Sequence, residues 1–156
     1  MSNESSASPP VSRATTLHVR DTCLCLHAQR AARALARRFD VALRPAGLNN
    51  GQFSMMMSLN RPEPPTLAAV AAGLAMDRTT LTAKLKPLVR RGFVAVRIDA
   101  ADRRARRLVL TPAGRAALAV AVPIWQRAHD DLEREAAAKD GDFDADRLRA
   151  GLAAVI

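Results

Sequence analysis

The chain has 156 residues, about one ordinary domain, and is long enough to bury a sizeable core without disulfide staples. Twenty-four lysines and arginines against fifteen acidic residues give a formal charge of +9, which makes a polyanion, most commonly nucleic acid, the default partner. No run approaches the roughly 18 apolar residues of a spanning helix, no apolar stretch follows a basic start, and the two cysteines suit a reducing compartment. A cytoplasmic protein with no membrane partner is therefore expected.

Residues 1–15, rich in Ser, Pro and Ala, have no hydrophobic period and are expected to form a loose arm. Beyond them the apolar set is mostly Ala and Leu, with only 3% aromatic residues and no Tyr, a composition that favours helices. Over residues 17–43 apolar side chains recur at Leu24, Ala28, Ala31, Leu35, Phe39 and Leu43, which predicts one long amphipathic helix closed by Pro45 and Gly47. A second helix, over residues 50–59, carries "FSMMMSL" and stops at the prolines of "NRPEPP". Thr66 is placed to cap a short helix, "LAAVAAGLA", and Asp77 to cap the next, "RTTLTAKLKPLVRR", in which Pro87 should cause a bend. Two helices joined by so tight a turn are a helix-turn-helix candidate.

The period then changes. "FVAVRI" and "RLVLT" read as two short strands of a hairpin around the polar loop "DAADRRAR". Thr111 as cap and Pro112 at the first helical position open a long helix to about Lys139, with a kink expected at Pro123. A last helix over residues 144–156 sets Leu148, Leu152 and Val155 on one face. The fold class expected is mainly α with a small β-hairpin.

Between Asp77 and Arg107 stand ten basic residues against three acids, a local charge of +7. A charge run is usually a solvated face, but this one coincides with a helix-turn-helix and the hairpin that follows it. A helix fits the major groove, where Arg and Lys reach guanine acceptors and Thr reaches base edges or a thymine methyl. Arg78, Thr79, Thr80, Thr82 and Lys84, with Lys86 beyond them, are the candidate readers, while Leu81, Leu85 and Leu88 face the core. Arg103, Arg104 and Arg106 in "DRRARR" suit phosphates or a narrow minor groove, and Asp102 is expected to orient one of them through a salt bridge.

At this point residues 66–118, "TLAAVAAGLAMDRTTLTAKLKPLVRRGFVAVRIDAADRRARRLVLTPAGRAAL", resemble the MarR family of winged helix-turn-helix transcriptional regulators. The most specific pieces are "LVRRGFV", the wing "DRRARR" and "LTPAG". The resemblance implies a winged helix-turn-helix over residues 48–111 and N- and C-terminal dimerisation helices over residues 16–47 and 112–156. It further implies a homodimer on a palindromic double-stranded operator, and a repressor released by a small-molecule effector. Two long amphipathic terminal helices carry more apolar face than one small core covers, which is an independent reason to expect a partner subunit.

For the effector, Cys25, His27 and Arg30 on the first helix, Met55 and Met56 in the methionine run, and Trp125 and His129 on the long helix are the candidates; an aromatic or phenolic acid would suit them. At least two of the three methionines, 55 to 57, are expected to be core filler. No enzyme is expected, since the three histidines are scattered and no phosphate loop or nucleophile with its base is evident. No cofactor and no metal site are expected either. Cys23 and Cys25, two apart on one helix, would point about 200° from each other, too far to share a disulfide or an ion, with Cys25 expected to be buried. Cys23 lies near Arg20, His27 and Arg30, a basic setting that favours a thiolate. The family resemblance includes oxidant sensors with a cysteine near the start of this helix, so thiol sensing through Cys23 or Cys25 is one alternative, although such sensors rely on tyrosines this chain lacks. A non-specific basic nucleic-acid-binding protein is another.

Overall fold

The computed structural model describes residues 11–156. Of the arm expected over residues 1–15, residues 1–10 lie outside the described part, and Arg13 to Thr15 are helical instead. The Ser12 hydroxyl accepts the Thr15 amide at 3.1 Å, a side-chain cap that starts α1 (Arg13–Thr22). The described chain divides into two compact units, the first ending at Leu35 and the second covering residues 36–156.

In the first unit the single long helix expected over residues 17–43 is two helices, α1 and α2 (Leu24–Leu43), the unit boundary falling within α2. The break is Cys23, whose backbone is extended (φ −72°, ψ 103°). Its amide donates to Val19 O at 3.0 Å and closes α1, while its carbonyl accepts the His27 amide at 3.1 Å and opens α2. Its Sγ accepts the Leu26 amide at 3.4 Å, the place a serine or threonine hydroxyl takes at a helix start. Periodicity could not reveal this, because a cysteine cap leaves the apolar spacing on either side intact. No residue of α1 is buried, and Leu24 is 77% exposed.

In the second unit, Phe39 and Leu43 at the end of α2 are buried, and a 3-10 turn (Arg44–Ala46) ends on Gly47 at φ +67°, a left-handed conformation that favours glycine. Asn49 and Gln52 form a reciprocal capping box that starts α3 (Asn50–Ser58). Thr66 caps α4 (Leu67–Gly73) and Asp77 caps α5 (Arg78–Arg90), which continues through Pro87. The intervening turn holds Ala75 at φ +49° and closes with the Met76 amide on Ala71 O at 2.9 Å. Strands β1 (Val94–Ile98) and β2 (Arg106–Leu110) pair antiparallel, Val94 opposite Leu110 and Ile98 opposite Arg106. Thr111 caps α6 (Pro112–Lys139), 28 residues running through Pro123 without interruption, and Asp144 caps α7 (Ala145–Ala153).

The core gathers Leu81, Leu85 and Leu88 of α5 with Val70 and Ala71 of α4, Val94, Leu108 and Leu110 of the hairpin, Met55 and Met56 of α3, and Leu118 and Ala121 of α6. Each fully buried leucine contributes about 2 kcal/mol. Because α5 commits its 81–85–88 stripe to this core, its opposite face is held outward.

Candidate nucleic-acid interface

The exposed face of α5 begins at its cap. Asp77 Oδ2 accepts the Thr80 hydroxyl at 2.6 Å and Oδ1 the Thr80 amide at 2.8 Å. These bonds, the hydroxyl's first, hold the Asp77 carboxyl below its ordinary pKa. Thr80's donor is thus engaged within the helix, and the Thr82 hydroxyl likewise donates to Arg78 O at 2.7 Å. Of the readers expected on α5, Arg78, Thr79, Lys84 and Lys86 are exposed with no side-chain hydrogen bond among the described residues, whereas Thr80 and Thr82 retain only their methyls and lone pairs for a ligand.

In the hairpin loop, Arg103 and Arg104 are exposed without side-chain partners among the described residues. Arg106 turns back, donating through Nη1 to Arg103 O at 2.9 Å and Ala105 O at 3.2 Å. The salt bridge expected from Asp102 is not formed: Asp102 Oδ1 accepts the Arg104 amide at 2.9 Å, and the acid that pairs with a wing arginine is Asp99, bonded to Arg107 Nε. Asp99 is only 5% exposed at the end of β1, where two loop amides converge on it, while Asp102 stands in solvent. Ala101's amide is the leading cause of a lowered Asp99 pKa, followed by that of Asp102, with Arg107 reinforcing them. Asp99 and Arg107 entered the sequence reading only as charges; no local signal marks which acid of a loop the fold will bury.

Arg91 also leaves the free set, donating to Gly47 O at 2.8 Å and lying 4.4 Å over the Phe93 ring. With Arg91, Arg106 and Arg107 engaged, Arg78, Lys84, Lys86, Arg90, Arg97, Arg103 and Arg104 remain exposed and unpaired among the described residues. These seven partner-free cations on one helix and one hairpin form a surface that attracts a phosphate backbone, and Arg91 and Arg106, held by neutral carbonyls, keep their charge beside them.

The effector candidates fall in separate settings. Met55 and Met56 are 1% and 0% exposed, core residues rather than ligand-facing ones, while Met57 is exposed. Trp125 and His129 are half-buried in an aromatic cluster: Trp125 stacks on Phe53 at 6.0 Å and Phe39 at 6.5 Å, and His129 lies 4.9 Å from Trp125. Arg38 closes this end of the unit with a two-pronged pair to Glu135 at 2.6 and 2.8 Å. A groove of about 350 Å³ that the sequence did not suggest runs along α6, lined by Met57, Asn60, Arg115, Leu118, Ala119, Val122 and Pro123. Arg115 donates to Leu110 O at 2.7 Å at its edge.

In the first unit Cys25, His27 and Arg30 are all exposed, so the burial expected for Cys25 is not found; its Sγ accepts the Gln29 side-chain amide at 3.2 Å, and His27 Nδ1 bonds to Cys23 O at 2.9 Å. Cys23 is the half-buried thiol. The basic setting expected around it is weaker than its sequence suggests, since Arg20 is paired with Asp21. The 200° separation argued for one continuous helix does not apply, because Cys23 lies outside both helices. Among the described residues, no helix is long and apolar enough to cross a membrane.

The sequence profile of the MarR family matches residues 48–105. Among solved structures, the chain is similar to the Mycobacterium tuberculosis transcriptional regulator MosR in complex with DNA, at 40% identity over 85% of this chain and 92% of that one, with a TM-score of 0.72. It is similar to the transcriptional repressor CouR bound to a 23-mer DNA duplex, at 27% identity over 89% and 96% of the two chains and a TM-score of 0.74. CouR from Rhodococcus jostii bound to p-coumaroyl-CoA shares the fold at 20% identity, over 86% and 92%, with a TM-score of 0.70. No curated protein matches the sequence.

Proposed function

The chain belongs to the MarR family of DNA-binding transcriptional regulators, not of enzymes, and on that premise we propose that it is a homodimeric repressor that binds a palindromic operator and is released by a small-molecule effector. The observation that carries the reading is the run of unpaired cations on α5 and the wing, in a chain 40% identical to a regulator solved on DNA. Arg78, Thr79 and Lys84 in the first turns of α5 address base edges, and Arg103 and Arg104 address the backbone or minor groove beside them.

Dimerisation is supported by apolar side chains that a lone copy leaves in water. Leu148, Leu152 and Val155, in and just beyond α7, are 51%, 45% and 71% exposed, and Val19, Leu24 and Leu35 on α1 and α2 are exposed too. A two-fold dimer that held its α5 helices about one DNA turn, roughly 34 Å, apart would match a palindrome. The α6 groove, apolar with Arg115 at its edge, suits an aromatic or phenolic acid, and Trp125 and His129 offer a second platform.

The test is a binding titration at physiological salt, comparing a duplex the protein selects from a randomised library with a random duplex of equal length. A preference of about 10³-fold or more is expected. Equal affinities would instead identify a non-specific basic nucleic-acid-binding protein.

Cys23 at the α1–α2 junction favours a second reading, thiol sensing, because it is freed from the helical geometry that would keep it from Cys25. Peroxide would take the two thiols to a disulfide and be reduced to two waters, the two thiol protons leaving with the oxygens. If peroxide leaves both the thiol count and DNA binding unchanged, that reading is wrong.

A further inference from the structure

We propose that Asp99 and Arg107 are positioning residues for DNA binding, the middle of a hydrogen-bonded relay that ties the wing tip to the start of the helix-turn-helix. Arg107 bonds in two directions: Nε to Asp99 Oδ2, and Nη1 to Pro64 O at 2.7 Å. The backbone of β2 follows the same path, Leu108 N donating to Pro65 O at 2.9 Å and Arg107 forming a β-bridge with Thr66, the cap of α4. On the other side, Asp99 Oδ1 accepts the amides of Ala101 at 2.7 Å and Asp102 at 3.1 Å, and Asp102 in turn accepts the Arg104 amide at 2.9 Å. The path from Pro64 to the Arg104 backbone is thus continuous, and it passes through one buried carboxylate.

A two-stranded hairpin is marginal by itself, and its loop of residues 99–105 has only the Asp99–Ala105 and Asp102–Ala105 backbone bonds of its own. Without the relay, Arg104 would be delivered by a swinging arm, and its contact with DNA would carry the entropy of ordering that arm. With it, the wing and α5 reach the duplex as one preorganised surface. The two oxygens of Asp99 have separable tasks, Oδ1 shaping the loop and Oδ2 holding Arg107. The inference rests on the proposed DNA contact of Arg104.

Asp99→Asn breaks the relay whichever way the side chain is turned, because its amide nitrogen opposes the Arg107 Nε donor in one orientation and the Ala101 and Asp102 amides in the other. The experiment is a double-mutant cycle on the selected duplex: wild type, Asp99→Asn, Arg104→Ala and the pair, with circular dichroism melts to verify folding at the assay temperature. Arg104→Ala should weaken wild-type binding about tenfold, and weaken Asp99→Asn by less than about twofold, because the tip is already undelivered. Thr79→Ala, which touches only the helix readout, should cost the same fold-change in both backgrounds, so that the loss of coupling is confined to the wing. Should Asp99→Asn fail to fold, Arg107→Lys keeps the ion pair but cannot also reach Pro64 O, and takes its place in the cycle. Additive effects, wild-type affinity for Asp99→Asn, or a neutral Arg104→Ala overturn the relay. Failure of the wild type to prefer the selected duplex overturns instead the operator reading on which it rests.

Discussion

Replacing Gly114 with alanine should destabilise the protein, although alanine is the better helix former by about 1 kcal/mol. Gly114 is the third residue of α6 and the glycine of "LTPAG", buried where the long helix leaves the wing. A Cβ there would lie 2.3 Å from Phe93 O, 2.8 Å from Leu110 Cδ1 and 3.1 Å from the Phe93 carbonyl carbon. The first contact is backbone, so no side chain can rotate away, and α6 or the backbone at Phe93 must move by about 1 Å to restore an ordinary separation. Overpacking of this kind costs up to about 3 kcal/mol. The displaced Phe93 carbonyl also accepts the Thr111 amide at 3.0 Å, and loosening that bond costs about 1 kcal/mol more. Set against the propensity gain, the net loss is about 3 kcal/mol, a fall in Tm of roughly 6–12 °C for a chain this size. Thermal unfolding followed by circular dichroism at one fixed protein concentration reads it, with Gly51→Ala as the control. Gly51's Cβ would meet only Asn49 Oδ1 at 3.5 Å, an ordinary contact, so that variant should be neutral or stabilised by about 0.5 kcal/mol. If Gly114→Ala melts at or above wild type, α6 does not pack so closely on the Phe93 backbone.

Leu152→Asp should convert the proposed dimer to monomer in light scattering behind size exclusion while leaving helix content intact; a mass unchanged from that of the wild-type dimer would remove α7 from the proposed interface. Thr111→Ala removes a hydroxyl that accepts the Gly114 amide at 3.0 Å and donates to Gly92 O at 2.6 Å, and should lower stability by about 1–2 kcal/mol in urea unfolding, against no change if the cap were idle. Asp99 carries a pH signature. Its folded pKa is depressed, first by the Ala101 amide, so its contribution is complete above the ordinary carboxylate range and is lost as pH falls through the lowered folded value. The Tm gap between wild type and Asp99→Asn should be constant above about pH 5 and narrow below about pH 4, and a gap unchanged down to about pH 3 would contradict it.

The helix caps were legible because capping is local. Thr66, Asp77 and Thr111 each accept the amide three residues on, and Ser, Thr or Asp ahead of an apolar period is sufficient to announce it. The 81–85–88 stripe of α5 was legible for the same reason, three leucines at helical spacing leaving Thr79 and Lys86 on the outside. Cys23 shows the limit: sulfur caps a helix weakly, and the apolar spacing of residues 17–43 runs unbroken across a real helix boundary.

What the sequence by itself determined is the succession of elements and the sign of the surface: a helix-turn-helix, a hairpin with an arginine loop, and a local charge of +7. These follow from periodicity, caps and counting, each confined to a few neighbouring residues. Which charges are free for DNA only the tertiary structure decided. Arg91 is engaged by Gly47, 44 positions away, and Arg107 by Pro64, 43 away, while Asp99 rather than Asp102 became the buried acid of the wing. Such pairings depend on which backbone carbonyls the fold leaves without a helical or strand partner, and a cation is drawn to whichever of them the folded chain brings near.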